Sequence, residues 1–190
     1  MAMASEPALA RELCRRIAEW QIQIIERYAE IGVEAIRATD DYGTQCNLMV
    51  SPNMWRALLK PELIRIIQAA KAAGLIVFFH SCGNIMEIVP DLIEAGVDVL
   101  DPIQSLCMDL PALKRLYGDQ VTFMGGVDTQ YLLSFGTPAE IDATVRERIR
   151  LFGPGGGYIC GPDNRIPIPE ENNRAFISAI ERYGVYPITA

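Results

Sequence analysis

Within Ile76-Val77-Phe78-Phe79-His80-Ser81-Cys82-Gly83-Asn84 the chain's only histidine ends an apolar, β-prone run, and a cysteine follows two residues later. A continuous apolar run closed by a turn signal reads as a strand buried on both faces, as in a parallel sheet. His80 and Cys82 therefore stand where such a strand runs out, the end that carries active sites in parallel α/β architectures. Residues i and i+2 of an extended chain point the same way. An imidazole and a thiol side by side suit one borderline metal ion, most simply zinc.

Carboxylates recur in the same setting. Asp40 and Asp41 end an earlier strand, and since neighbours on an extended chain face opposite ways, at most one of them enters a common site. Asp41 is carried forward as a catalytic candidate. Asp128 follows Gly125-Gly126, where the absence of side chains lets backbone approach a ligand. It is the second catalytic candidate, its alternative role being the cap of the next helix. The strand-end positions Asp101, Gln104, Gln130 and Asp163 complete a polar rim.

The elements that must position these groups follow from periodicity. Leu13, Ile17, Trp20, Ile24 and Tyr28 recur at helical spacing, which predicts one long leading helix ending at Gly32, with Ser5 as N-cap and Pro7 in its first turn. A strand is expected over 33–39 and a helix over 62–73, stopped by Gly74. The pattern then repeats: strand 75–79 and helix 85–95, strand 97–100 and helix 110–117, strand 121–124 and helix 138–152, strand 158–160 and helix 170–183. Residues 184–190 read as a loose tail. Five strands alternating with helices demand a parallel sheet, so the fold class is α/β, with one domain over 1–190. No strand–helix turn carries G-x-G-x-x-G. The run Gly153-Pro154-Gly155-Gly156-Gly157 precedes a strand and presents no helix N-terminus to a phosphate.

Composition narrows the function classes. Half of the 190 residues are hydrophobic, yet no run approaches the roughly 18–20 apolar residues of a membrane span. The first residues lack the basic and apolar regions of a secretory signal. A net charge of −7 argues against a nucleic-acid partner or an anionic membrane surface. Five scattered cysteines, Cys14, Cys46, Cys82, Cys107 and Cys160, do not form a disulfide framework and fit a cytoplasmic setting. Cys14 is expected in the core.

Taken together, the loops resemble the uroporphyrinogen decarboxylase superfamily, which includes zinc-dependent methyltransferases that act on corrinoids. The segments that carry the resemblance are Asp40-Asp41-Tyr42-Gly43-Thr44-Gln45, Ser51-Pro52 with Lys60-Pro61, His80-Ser81-Cys82-Gly83-Asn84, and Ile93-Glu94-Ala95-Gly96-Val97-Asp98. They continue with Gly125-Gly126-Val127-Asp128-Thr129-Gln130, Gly155-Gly156-Gly157-Tyr158-Ile159 and Pro169-Glu170-Glu171-Asn172. The resemblance implies a (β/α)8 barrel, of which this chain matches the C-terminal part, roughly the last five strands.

It also implies a site. In the zinc methyltransferases of the superfamily the His-x-Cys pair binds metal and a later cysteine completes the set. His80 and Cys82 match the pair. Cys160 is the candidate third ligand, with Asp163 as the alternative because spacing from Pro169-Glu170-Glu171-Asn172 places it nearer the family position. The implied reaction is methyl transfer between a corrinoid, carried on a partner protein, and a small-molecule thiol. The alternative is decarboxylation of tetrapyrrole carboxylates, which needs basic residues, whereas these strand-end loops are acidic or neutral apart from Arg165. Five strands cannot close an eight-stranded barrel. The resemblance therefore also implies a partner for the sheet, either a complementary half-barrel chain or a second copy, or else a non-catalytic remnant.

Overall fold

The computed structural model describes residues 2–188. A short α1 (Ala2–Ser5) precedes the long α2 (Pro7–Glu30), β1 (Ala35–Thr39), α3 (Pro52–Leu58) and α4 (Lys60–Ala72). Next come β2 (Ile76–His80), a 3-10 turn (Met86–Ile88) running into α5 (Val89–Ala95), β3 (Val99–Asp101) and α6 (Leu110–Tyr117). The chain ends with β4 (Thr122–Val127), α7 (Leu132–Phe135), α8 (Pro138–Phe152), β5 (Tyr158–Pro162) and α9 (Glu170–Tyr183). The five strands form one parallel sheet in sequential order, β1-β2-β3-β4-β5, with β1 and β5 at its edges. Sequential parallel order with a helical return after each strand is the arrangement of a partial (β/α)8 barrel.

Local chemistry sets several boundaries. The Ser51 hydroxyl accepts from Met54 N at 3.2 Å ahead of Pro52, and Asp109 accepts from Ala112 N at 2.9 Å ahead of α6. Thr137 and Glu140 cap each other reciprocally at the start of α8. Gly96, with φ +104°, closes α5 in the left-handed conformation that favours glycine.

Alternation divides each strand between two faces. Val77, Phe79, Leu100 and Phe123 point outward into the main core, built with Trp55, Ile67, Leu92, Leu113 and Phe152 from the helices. A second cluster under α8 and α9 gathers Val127, Leu133, Ile141, Val145 and Phe176. The opposite face is the inner wall of the partial barrel. It carries Arg37, His80 and Asp101, and it leaves Ile76 47% and Ile159 40% exposed.

Three expectations change. Ser5 ends α1, and Glu6 stands at the N-cap of α2 without a side-chain hydrogen bond. The helical stripe on α2 forms the predicted helix but is not its buried side: Ala18 and Ile25 are buried, while Leu13, Ile17, Trp20 and Tyr28 are exposed. Cys14 is half-buried outside the core. The short helices α3 and α7 add turns within segments read as loops.

Candidate metal centre

Two loops cross at the top of β1 and β2. Asp40 N donates to His80 O at 3.0 Å, Gly43 N to Cys82 O at 3.2 Å and Asn84 N to Thr44 O at 2.7 Å, so the chain after β1 pairs with the chain after β2 backbone to backbone. Ser81 reinforces the crossing: its hydroxyl accepts from Tyr42 N at 2.9 Å and its own N–H donates to Asp101 O at 3.0 Å. The buried Gln104 side chain ties in a third loop by accepting from Gly83 N. Cys107, buried beside it, donates to Gln45 Oε1 at 3.1 Å.

This crossing decides between the two adjacent aspartates. The Asp41 carboxylate turns toward the β2 loop, where Oδ1 accepts from Cys82 N at 2.8 Å and lies 3.6 Å from His80 Nε2. Asp40 instead hydrogen-bonds with Tyr42. The Cys82 thiol lies 3.5 Å from His80 Nε2. One donor atom each from Asp41, His80 and Cys82 falls within 4.8 Å of the others, the one such group among the described residues.

The fit to a metal can be tested on these distances. Zinc bonds of about 2.0–2.3 Å in tetrahedral geometry place donor atoms about 3.3–3.7 Å apart. The 3.5 and 3.6 Å separations from His80 Nε2 fall in that interval. A nitrogen, a sulfur and a carboxylate oxygen also form an ordinary zinc donor set. Burial, then the Asp41 carboxylate, pushes the Cys82 thiol up to about 11. A nearby dication would reverse that shift and hold the sulfur as thiolate.

Behind the histidine stands a second tier. His80 and Asp101 are direct cross-strand neighbours in the β2–β3 register, with Asp101 Oδ2 3.6 Å from His80 Nδ1. Arg37, on β1, donates through Nε to Asp101 Oδ2 at 2.7 Å, and its Nη2 lies 2.7 Å from His80 Nδ1. Burial pushes Asp101 upward, but the neighbouring His80 ring and the hydrogen-bonded Arg37 guanidinium outweigh it and hold the carboxyl below its ordinary range. Arg37 was missed in sequence because it lies mid-strand. Its only signal is parity, two residues before Thr39, which pairs with His80.

The remaining candidates lie elsewhere. Cys160 sits on β5 opposite Gly125, with its side chain packed against the α8–α9 cluster on the outer face, apart from His80 and Cys82. Burial pushes its thiol upward. Asp163 is 3% exposed and its oxygens are engaged: Oδ1 accepts from Gly126 N at 2.7 Å, and Oδ2 from Ser105 N at 3.1 Å and Ser105 Oγ at 3.3 Å. Asp128 spends both oxygens on Gln130 N, Tyr131 N and Leu132 N, at 2.8, 2.8 and 2.9 Å. Its carboxylate holds the turn ahead of α7, while the N-cap positions of α7 and α8 are Tyr131 and Thr137. Neither Cys160 nor Asp163 joins the group formed by Asp41, His80 and Cys82.

Comparisons with known proteins agree with this architecture. The chain is 27% identical over 181 residues to the uroporphyrinogen decarboxylase of Thermus thermophilus, covering 94% of this chain and 50% of that protein. It is 24% identical over 149 residues to the methylated-thiol–coenzyme M methyltransferase of Methanosarcina mazei, covering 73% of this chain and 38% of that protein. The solved structure of a methyltransferase from Methanosarcina mazei superposes with a TM-score of 0.70 at 22% identity, over 88% of this chain and 48% of that one. The chain thus spans about half the length, or less, of these relatives. The family model described as uroporphyrinogen decarboxylase (URO-D) matches residues 1–183, and on that match the chain belongs to the uroporphyrinogen decarboxylase family.

Proposed function

We propose that this chain carries the metal-binding half of a zinc-dependent methyltransferase that moves a methyl group from a corrinoid to a thiol acceptor. The observation that carries the reading is the convergence of Asp41, His80 and Cys82 at zinc-like spacing on the strand-end side of the sheet. A methylated-thiol methyltransferase among the relatives supports it. Zinc held there would keep the acceptor thiol deprotonated near neutral pH, the form in which sulfur is a nucleophile. A corrinoid would supply the methyl group to that sulfur and would keep the electron pair of its own bond to the methyl carbon. The residues of this chain orient the site: Asp41 joins the two loops through Cys82 N, and the buried Ser81 and Gln104 hold the crossing against neighbouring loops. The corrinoid is proposed to arrive on a partner protein. The uncovered inner face is proposed to be closed by three further β/α units of a complementary chain, or by a second copy.

A second reading is decarboxylation of a tetrapyrrole carboxylate, favoured by the name of the Thermus relative. It needs no metal but needs cations for several carboxylates. Arg37, a cation in contact with His80, is already paired with Asp101.

Metal analysis separates the two. Protein purified without chelator is expected to hold about one zinc per chain, lost in His80→Ala and in Cys82→Ala. Zinc content unchanged by both substitutions would end the methyltransferase reading.

A further inference from the structure

The contact between Arg37 and His80 has a chemical consequence. A guanidinium has five N–H donors and no acceptor. With Arg37 Nη2 2.7 Å from His80 Nδ1, that ring nitrogen must accept, so it carries no proton. The ring proton is then on Nε2, directed at Cys82 Sγ and Asp41 Oδ1, 3.5 and 3.6 Å away. A protonated Nε2 has no lone pair to offer a metal. In this arrangement the donor set has ligand spacing while its imidazole is in the tautomer that cannot ligate.

The alternative tautomer is also provided for. With the proton on Nδ1, the acceptor at hand is Asp101 Oδ2, 3.6 Å away and 8% exposed in its side chain. Arg37 can release Nδ1 and stay paired with Asp101, because its Nε bonds Oδ2 at 2.7 Å and its Nη2 lies 2.6 Å from the same oxygen. Its side chain is 44% exposed and it stands on the edge strand β1, so no further strand of the sheet confines the guanidinium. Tautomerisation takes one proton off Nε2 and puts one on Nδ1, with none gained or lost overall.

We propose that Arg37 is a positioning residue that locks His80 in its non-ligating tautomer, and that metal binding requires Arg37 to hand Nδ1 over to Asp101. A carboxylate on the far nitrogen fixes the ring and raises its basicity as a ligand, the usual outer partner of a metal-bound histidine. Arg37 and Asp101 thus oppose each other at one atom: the first stabilises the metal-free centre, the second the loaded one. The lock itself is a property of the metal-free protein. Only the hand-over rests on the zinc reading above.

His80 is the chain's only histidine, so its ring nitrogens can be read without assignment ambiguity. The experiment is a long-range 1H–15N correlation spectrum of the full chain, stripped of metal, at a pH where the ring is neutral. Wild type is expected to show the Nε2–H tautomer and Arg37→Ala the Nδ1–H tautomer. Wild type with excess zinc is expected to show Nδ1–H with a shifted Nε2. Chelator competition should then give zinc affinity about tenfold tighter in Arg37→Ala, the worth of one lost competing hydrogen bond, and about 10–100-fold weaker in Asp101→Asn. An Nδ1–H tautomer in metal-free wild type, or zinc affinity unchanged or weakened in Arg37→Ala, would overturn the lock. Asp101→Asn binding zinc as wild type does would overturn the hand-over. Should Asp101→Asn fail to fold, Arg37→Ala still decides through both readouts. Failure of wild type to bind zinc at all would remove the metal reading and the hand-over with it, while the metal-free spectra would still confirm or refute the lock.

Discussion

Gly43 and Gly83 cross with no room for a side chain on either. A Cβ on Gly83 would lie 2.4 Å from the Gly43 carbonyl carbon, and one on Gly43 would lie 2.7 Å from the backbone of residues 82–84. Gly83 also holds φ +85°. The two loops that bring Asp41 against His80 and Cys82 therefore meet as bare backbone, and the geometry of the centre depends on that contact.

Gly83→Ala combines a backbone clash with left-handed strain and is expected to cost about 2–4 kcal/mol. Thermal denaturation should show the loss. Zinc retention should fall with it, because Asp41 reaches the centre through the same crossing. A variant as stable as wild type would mean that the two loops do not touch in this way.

The identity of the third donor is open to direct test. Asp41→Asn is expected to weaken zinc binding by at least about tenfold, since an amide is a poorer ligand than a carboxylate. Cys160→Ser and Asp163→Asn are expected to leave it unchanged, the first because its thiol packs on the outer face and the second because its oxygens serve Gly126 and Ser105. Strong loss in Cys160→Ser with none in Asp41→Asn would return the role to the cysteine.

Asp163 gives a pH signature. Burial, opposed by hydrogen bonds from Ser105 and Gly126, raises its carboxyl to about 6. The native state then binds a proton more tightly than the unfolded chain, whose aspartates titrate near about 3.9. The destabilisation is full above the folded value and is relieved as pH falls from about 6 to about 4, a total of roughly 3 kcal/mol. Urea unfolding from pH 4 to 7 should show Asp163→Asn lacking this component. Parallel pH profiles for variant and wild type would place the group's pKa at its ordinary value.

The uncovered surface predicts association. Leu9, Leu13 and Trp20 on α2, together with Ile76 and Ile159 on the inner sheet face, are all at least 40% exposed. At about 25 cal/mol per Å2, some ~400 Å2 of wet apolar area corresponds to roughly 10 kcal/mol, comparable with the net stability of a domain. Sedimentation of the chain alone is expected to show a dimer or larger species, and a complementary three-unit chain should convert it to a defined complex. A monodisperse monomer with a cooperative thermal transition would show that five units suffice.

Much of this protein is legible in its sequence. The alternation of apolar runs with helical stripes determines five β/α units in a parallel sheet, and α6, α8 and α9 begin and end where expected. Their boundaries rest on local chemistry, such as Asp109 before Pro111 or Thr137 before Pro138 with Glu140, which acts within one helical turn. His80 and Cys82 were visible for the same reason: period two within one extended segment puts both on one side.

What only the tertiary structure decided is which distant groups meet them. Parity restricts Asp40 and Asp41 to opposite faces without naming the inner one, and the Gly43–Gly83 crossing makes that choice. Cys160 has the right chemistry but the wrong parity, because Ile159 and Gly161 take the inner face of β5. Arg37 reaches His80 only through the parallel register of β1 on β2, a relation between residues 43 apart in sequence. On α2 the apolar stripe specified a helix but not its buried side. Periodicity records that a face is apolar, whereas burial depends on whether a neighbouring element is there to cover it.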